Sequence, residues 1–331
     1  MLAVLAITAG LVTAKAVDAN TVEIVYNGSS ATITIADNIK NYVNVKSGSS
    51  SHVYLVQDPN FAGINKSASN GDGEIIYLLS GTSTNGQFYM EGSYKCQVKF
   101  NGLTLTNTSG PAVHIENGKR CEVTAKKGTV NTLSDALWDD DDLKGCFHCK
   151  GHTKFKGLGE LNIIGNSRHA VYSKEYVEVK NLTMNIKSAV KDGIHCKQYF
   201  LMESGTLNIS NTGDDGIQVE LKDEVSTGVL KDHEDEDSGN FYQTGGTLTI
   251  NTNVGYAIKA DGKVLLTGGQ RTLDSTKILE DALTVGISTV ATDLPTPSVV
   301  YDFGGRRHPA NINRRGLYII RENGKIRKLF K

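Results

Sequence analysis

Apolar and polar residues alternate with a period of two over many short stretches of this chain, and almost nowhere with the period of a helix. TVEIVY (21–26), ATITIA (31–36) and NYVNVK (41–46) read as strands, without fixing how those strands pair. From residue 111 onward the alternation becomes a repeat. Six stretches align: PAVHIE (111–116), GCFHCK (145–150), HAVYSK (169–174), DGIHCK (192–197), DGIQVE (215–220) and YAIKAD (256–261). The three central steps are 24, 23 and 23 residues, and the outer ones are lengthened by insertions. A second set runs in step with the first: GELNI (159–163), NLTMNI (181–186), GTLNI (205–209) and GTLTI (246–250). Gly, Asn, Asp and Lys turns separate the strands.

A unit of strands and turns alone has no room for the helices of a doubly wound α/β fold or a leucine-rich horseshoe. Its length suits one triangular coil of a parallel β-helix, each coil stacking on the next at about 4.8 Å. The alternative is a β-sandwich with coincidental spacing, which has no reason to keep two strand sets in register. The expected fold class is all-β: a right-handed parallel β-helix, a solenoid with coils of about 23 residues. Alternation then assigns faces. Inward positions are Val113 and Ile115, Phe147 and Cys149, Val171 and Ser173, Ile194 and Cys196, Ile217 and Val219, and Ile258 and Ala260. The second set stacks Leu161, Met184, Leu207 and Leu248, with Ile163, Ile186, Ile209 and Ile250 two places on.

Residues 17–90 are expected to begin or cap the helix, 91–285 to form its coils, and 286–331 to be a linker and tail. Leu273, Ile278, Leu279 and Leu283 recur at near-helical spacing, so residues 270–292 are either a helix or a last coil closing the open end. Closure matters because bare strand edges aggregate.

Composition agrees with an all-β chain: 35 Gly, 5 Pro and 7 % aromatics. Lys plus Arg number 35 against 36 Asp plus Glu. That balance argues against a nucleic-acid partner, which requires a basic surface. MLAVLAITAGLVTAKA (1–16) has an apolar run too short to span a bilayer and ends in Ala14-Lys15-Ala16, so it reads as an export signal without its basic leader, or else as a buried helix. No other segment is long enough for a transmembrane helix. Cys96, Cys121, Cys146, Cys149 and Cys196 are odd in number and irregular in spacing, which describes core thiols rather than a disulfide framework. Cys146 and Cys149 look like half a zinc site, but no second pair follows. Cys149 and Cys196 lie two coil steps apart, beyond disulfide reach.

Two outward rows carry the candidate chemistry. One reads His114, His148, Tyr172, His195, Gln218, Lys259, and the row beside it Glu116, Lys150, Lys174, Lys197, Glu220, Asp261. A flat strip of imidazole, phenol and ammonium groups suits an extended acidic sugar chain such as a uronan, with Tyr172 as stacking platform and the lysines as carboxylate partners. An ordinary solvated sheet face is the alternative. His148 and His195 are too far apart to share a zinc ion. Asp192 and Asp215 open successive DGI turns with Asp214 adjacent, where carboxylates a coil step apart repel and a calcium ion would reverse the sign. Asp139, Asp140, Asp141 and Asp142 lead toward the same edge. Solvated turn aspartates are the alternative. The acidic run from Asp223 to Asp237 reads as a solvated excursion.

With these residues in view, the chain resembles the calcium-containing, carbohydrate-binding parallel β-helix family of plant-polysaccharide-using bacteria. The likeness starts at IIYLLSGTSTNGQFYM (75–90), runs through VKFNGLTLTNTSGPAVHIENG (98–118), GTVNTLSD (128–135) and the DGI coils, and ends near residue 269. It implies binding of cellulose-like or pectin-like polymers and calcium held at coil turns. The insertion at 221–240 and the Cys-rich coil at 145–150 depart from it. The C-terminus resembles a type IX (Por) sorting signal in YDFGGRR (301–307), RGLYIIREN (315–323) and the basic run Lys325 to Lys331, with DLPTPS (293–298) as linker. That implies dealings with outer-membrane secretion machinery, then release or surface display; a final β-hairpin with no addressing role is the alternative.

Parallel β-helices also host lyases and hydrolases. A lyase needs a base near the C5 proton, for which Lys150, Lys174 and Lys197 are the candidates. A hydrolase needs two carboxyl groups flanking the bond, and Asp192 with Asp215 is the nearest pair. The first strand set contains no Arg and its acids are separated by basic coils. Non-catalytic polysaccharide binding is therefore the expectation, with a lyase or a structural, adhesin-like role as rivals.

Overall fold

The computed structural model describes residues 17–47, 50–64, 73–221, 238–252, 254–273, 278–280, 299–302, 307–308, 317–322 and 325–330. The expected export signal at 1–16, Asp223 to Asp237, Leu283, the expected linker 293–298 and parts of the tail motifs lie outside them. The chain divides into two units, 1–284 and 285–331.

The larger unit is a solenoid-like stack of parallel strands. From Val113 onward each turn of the chain adds three strands. The first joins a ten-stranded front sheet, which runs through His52–Gln57, Gln87–Glu91, Val113–Glu116, Gly145–Cys149, His169–Ser173, Ile194–Cys196, Ile217–Val219 and Ile258–Ala260. The other two extend opposite arms of a sixteen-stranded sheet, whose joint is the long strand Cys96–Asn107. One arm grows through Cys121–Ala125, Thr153–Gly157, Val177–Lys180, Tyr199–Met202 and Asn240–Gln243. The other grows through Val130–Asp135, Glu160–Gly165, Thr183–Ala189, Thr206–Thr212 and Thr247–Thr252.

The register is the one that the repeat predicts. Phe147 pairs with Val171, Val171 with Ile194, Ile194 with Ile217, and Ile217 with Ile258. In the far arm Leu161, Met184, Leu207 and Leu248 form one row. All of these pairings are parallel, so an antiparallel sandwich does not form. Every side chain assigned inward is buried, including Ser173 and the cysteines. Removing an Ile or Leu side chain from water contributes about 1.5–3 kcal/mol, and stacked like residues keep the interior filled at each level. The five cysteines are free and buried, as core thiols should be.

The strands through Cys121–Ala125 and Tyr199–Met202 form an arm that the two aligned sets did not contain. Its inward residues change from turn to turn (Val123, Phe155, Val179, Met202), so it leaves no repeated word. At the N-terminal end, Thr21–Asn27 pairs antiparallel with Ser30–Ile35 and parallel with Ile75–Ser83. At the other end, Gln270–Leu273 and Ile278–Leu279 pair with the preceding turn as strands. The described residues of 270–292 thus add a last layer of strand. Val299–Asp302, Arg307–His308, Leu317–Glu322 and Lys325–Phe330 of the smaller unit make an antiparallel four-stranded sheet. Among the described residues no helix is long and apolar enough to cross a membrane.

Candidate functional site

The front sheet turns alternate side chains outward, and parallel in-register pairing sets like positions one above another. His114 pairs with His148, His148 with Tyr172, Tyr172 with His195, His195 with Gln218, and Gln218 with Lys259. The row continues upstream through Tyr89 and Tyr54, two rings missed in the sequence because the segments around them lack the repeat's spacing. Ring centroids along the row are 4.6 Å (Tyr54–Tyr89), 4.6 Å (Tyr89–His114), 4.8 Å (His114–His148), 5.0 Å (His148–Tyr172) and 5.5 Å (Tyr172–His195). Coplanar rings side by side cannot approach that closely, so the rings pack on one another. Tyr172 lies between His148 and His195, nearly parallel to the latter at 25°. It therefore offers an edge and a hydroxyl, not the open stacking platform expected from the sequence.

Crowding keeps His114 and His148 short of protons. Burial holds His114 below the ordinary imidazole range and pushes His148 down to about 3, where the neighbouring His114 adds to the effect. The His148 Nδ1 accepts the Lys144 backbone N–H at 3.0 Å.

The adjacent row is paired at two places. Lys150 meets Glu116, and Lys197 meets Glu220 at 3.1 Å. His114 and His195 also lie 3.4 Å from Glu116 and Glu220, respectively. Lys174 is exposed and forms no ion pair among the described residues. Lys259 turns toward the Asp215 carboxylate at 3.3 Å, and Gln218 is half-buried.

The turn edge is built differently from a row of solvated aspartates. Asp192 and Asp215 are each 1 % exposed, whereas Asp214 is open to solvent. The Asp192 Oδ1 accepts the Asp215 backbone N–H at 3.0 Å, and the Asp215 Oδ1 accepts the Tyr256 backbone N–H at 2.7 Å. Each carboxylate thus receives the turn that follows it. The next residue must be glycine: a Cβ on Gly216 would lie 2.4 Å from the Ile250 side chain and 2.6 Å from the Ala257 carbonyl oxygen. The DGI word therefore encodes an acceptor, a close approach and an inward apolar residue.

The Asp192 Oδ2 lies 2.9 Å from the His195 Nδ1 and 3.2 Å from the His169 Nδ1. Burial works against the charge on Asp192, but the two adjacent imidazoles hold its carboxyl well below the usual range. His195 is desolvated too, yet Asp192 and Glu220 outweigh this and raise it, while burial keeps His169 low. Glu220, bonded by His195, falls to about 2. Asp215 is raised by burial, and its Oδ2 faces the Lys259 ammonium.

Two groups bring ligand atoms within 4.8 Å of one another: Asp192 with Asp214 and Asp215, and Asp192 with His169 and His195. The first is the predicted acidic edge. His169 was missed, although aligning HAVYSK with DGIHCK sets it at the position of Asp192. None of Asp139, Asp140, Asp141 and Asp142 belongs to either group. All four are exposed; Asp141 pairs with Arg168 at 2.6 Å, and the Asp140 Oδ1 accepts the Asp142 backbone N–H.

Among solved structures, the chain is similar to one described as the polysaccharide lyase-like protein from C. thermocellum, gadolinium derivative. The TM-score is 0.54 at 20 % identity, covering 78 % of this chain and 96 % of that one, and the likeness is one of fold. Among curated proteins nothing matches the sequence. The sequence model of a family described as carbohydrate-binding domain-containing protein matches residues 64–293. That match takes in the front sheet from Gln87 to Leu279, and the chain belongs to this family of carbohydrate-binding domain-containing proteins.

Proposed function

We propose that the chain is a non-catalytic polysaccharide-binding protein, built as a right-handed parallel β-helix with coils of about 23 residues, exported and held at or released from the cell surface. Family membership supports the sugar partner, and the 23-residue steps from Val171 to Ile194 and Ile217 support the coil length. The observation that carries the binding site is the unbroken outward ladder from Tyr54 to His195. A linear polymer lying along it meets hydroxyl and imidazole edges at every level, with the Lys174 ammonium beside them. The ligand class is an acidic, pectin-like glycan, with a cellulose-like chain as the neutral variant. Weak contacts repeated along one polymer then add up. Calcium is the cation proposed for the acidic edge of Asp192, Asp214 and Asp215, whose oxygens suit a hard ion. The tail's resemblance to a sorting signal supports export across the outer membrane.

The rival is a lyase, favoured by the lyase-like character ascribed to the structural neighbour. Against it, Lys150 and Lys197 are engaged by carboxylates. The hydrolase pair is disfavoured because Asp192 and Asp215 are closed off from a substrate.

Affinity electrophoresis in gels containing polygalacturonate or hydroxyethyl cellulose tests the binding site. Retardation is expected for the native chain and is expected to weaken severalfold in Lys174→Ala with Tyr172→Ala. Unchanged retardation of that double variant removes the ladder as the site. Unsaturated product, followed by ultraviolet absorbance with polygalacturonate and calcium, turns the reading toward a lyase.

A further inference from the structure

We propose that His169, Asp192 and His195 form a site for one divalent transition-metal ion of the zinc class, beside the ring ladder and sharing only Asp192 with the oxygen-lined acidic edge. The spacing is that of ligands around a metal. Atoms bound at about 2.1 Å lie about 3.0 Å apart at a right angle and about 3.4 Å apart at the tetrahedral angle. The Asp192 Oδ2 lies 2.9 Å from one imidazole Nδ1 and 3.2 Å from the other.

Each ligand is also aimed. The Asp192 Oδ1 is occupied by the Asp215 backbone N–H, which directs Oδ2 into the cluster. The Asp192 backbone N–H donates to the His169 Nδ1 at 3.2 Å, so that nitrogen is unprotonated, and an ion would take over the lone pair that this hydrogen bond now uses. The His195 Nε2 lies 3.4 Å from the Glu220 carboxylate. An outer carboxylate on the far nitrogen of a ligating histidine fixes its orientation and strengthens it as a ligand.

Donor type selects the ion. Two imidazole nitrogens and one carboxylate oxygen suit zinc and its neighbours, whereas calcium and magnesium take oxygen. The side chains of His169 and His195 remain 9 % exposed, so an ion enters from the front face, and its remaining positions fall to water or to a sugar oxygen. Binding displaces the proton at the His195 Nδ1 into solvent, so affinity falls in acid.

The test uses the full chain, stripped with chelator and titrated by calorimetry with zinc in the presence of excess calcium. Cobalt(II) is added in parallel and read by its visible absorption. One equivalent of zinc and nitrogen-ligand cobalt bands are expected. Both are lost in His169→Gln and His195→Gln and kept in Asp214→Asn, a variant that weakens calcium alone. Glu220→Gln, which leaves all three ligands in place, is expected to weaken zinc roughly 10–100-fold. Absence of zinc binding to the native chain, or native affinity in either histidine variant, overturns the site. Should those variants fail to fold, native zinc affinity in Glu220→Gln overturns it as well.

Discussion

Removing the Asp192 carboxylate is the sharpest test of how successive turns are joined. In Asp192→Ala the Asp215 backbone N–H loses its acceptor, and His169 and His195 lose the oxygen between them. A buried polar group left unsatisfied costs about 1–3 kcal/mol. With the amide and one imidazole wholly unsatisfied, the loss is about 3–5 kcal/mol. Asp192→Asn keeps a carbonyl oxygen for the amide and lets its NH₂ donate to His169, so its cost is about 1–2 kcal/mol. A domain of this size shifts by roughly 2 °C per kcal/mol. Differential scanning calorimetry at neutral pH should therefore record a drop of about 6–10 °C for Ala and about 2–4 °C for Asn. A solvated turn aspartate, by contrast, would change stability by about 0.5 kcal/mol or less. The pH dependence adds a second readout. The folded value of Asp192 is depressed, so its contribution is present above the unfolded value of about 3.9 and is lost as pH falls toward the folded one. The gap between native chain and Asn variant should close in that acid range. An Ala variant melting within about 1 °C of the native chain would refute the carboxylate-to-amide ladder.

Gly216→Ala should cost about 1–3 kcal/mol through overpacking, because its new methyl meets Ile250 and the Ala257 carbonyl; an unchanged calorimetric melt would contradict the close approach of those turns. Asp135 is 2 % exposed, and burial raises it to about 7 despite the Asn166 backbone N–H donated to it. The folded state then holds a proton that the unfolded state gives up, so stability falls as pH rises from about 4 through 7, by up to about 4 kcal/mol. Asp135→Asn should flatten that slope in urea unfolding at stepped pH, and a slope equal to that of the native chain would refute the buried acid.

The sequence by itself determined the face of each side chain in the two repeated strand sets, and with it the vertical rows. A period of two fixes inward and outward positions, and a constant step of 23 or 24 residues leaves parallel stacking as the arrangement that keeps every apolar row buried. Ile194 over Ile217 and Met184 over Leu207 were legible for this reason. The third strand of each turn was not, since Val123, Phe155 and Met202 share only a direction, and a direction without a repeated residue leaves no signal. Partners lie still further beyond the sequence. That Lys150 is held by Glu116, that Tyr172 is packed between two imidazoles, and that His169 converges with Asp192 and His195 all depend on where side chains reach across neighbouring turns. Alternation is silent on that, because it specifies a face and not a rotamer. Burial of Asp192 and Asp215 was likewise decided only in three dimensions. The same Asp-Gly pair suits an open turn or a closed one, and stacking of the next turn on its carboxylate makes it closed.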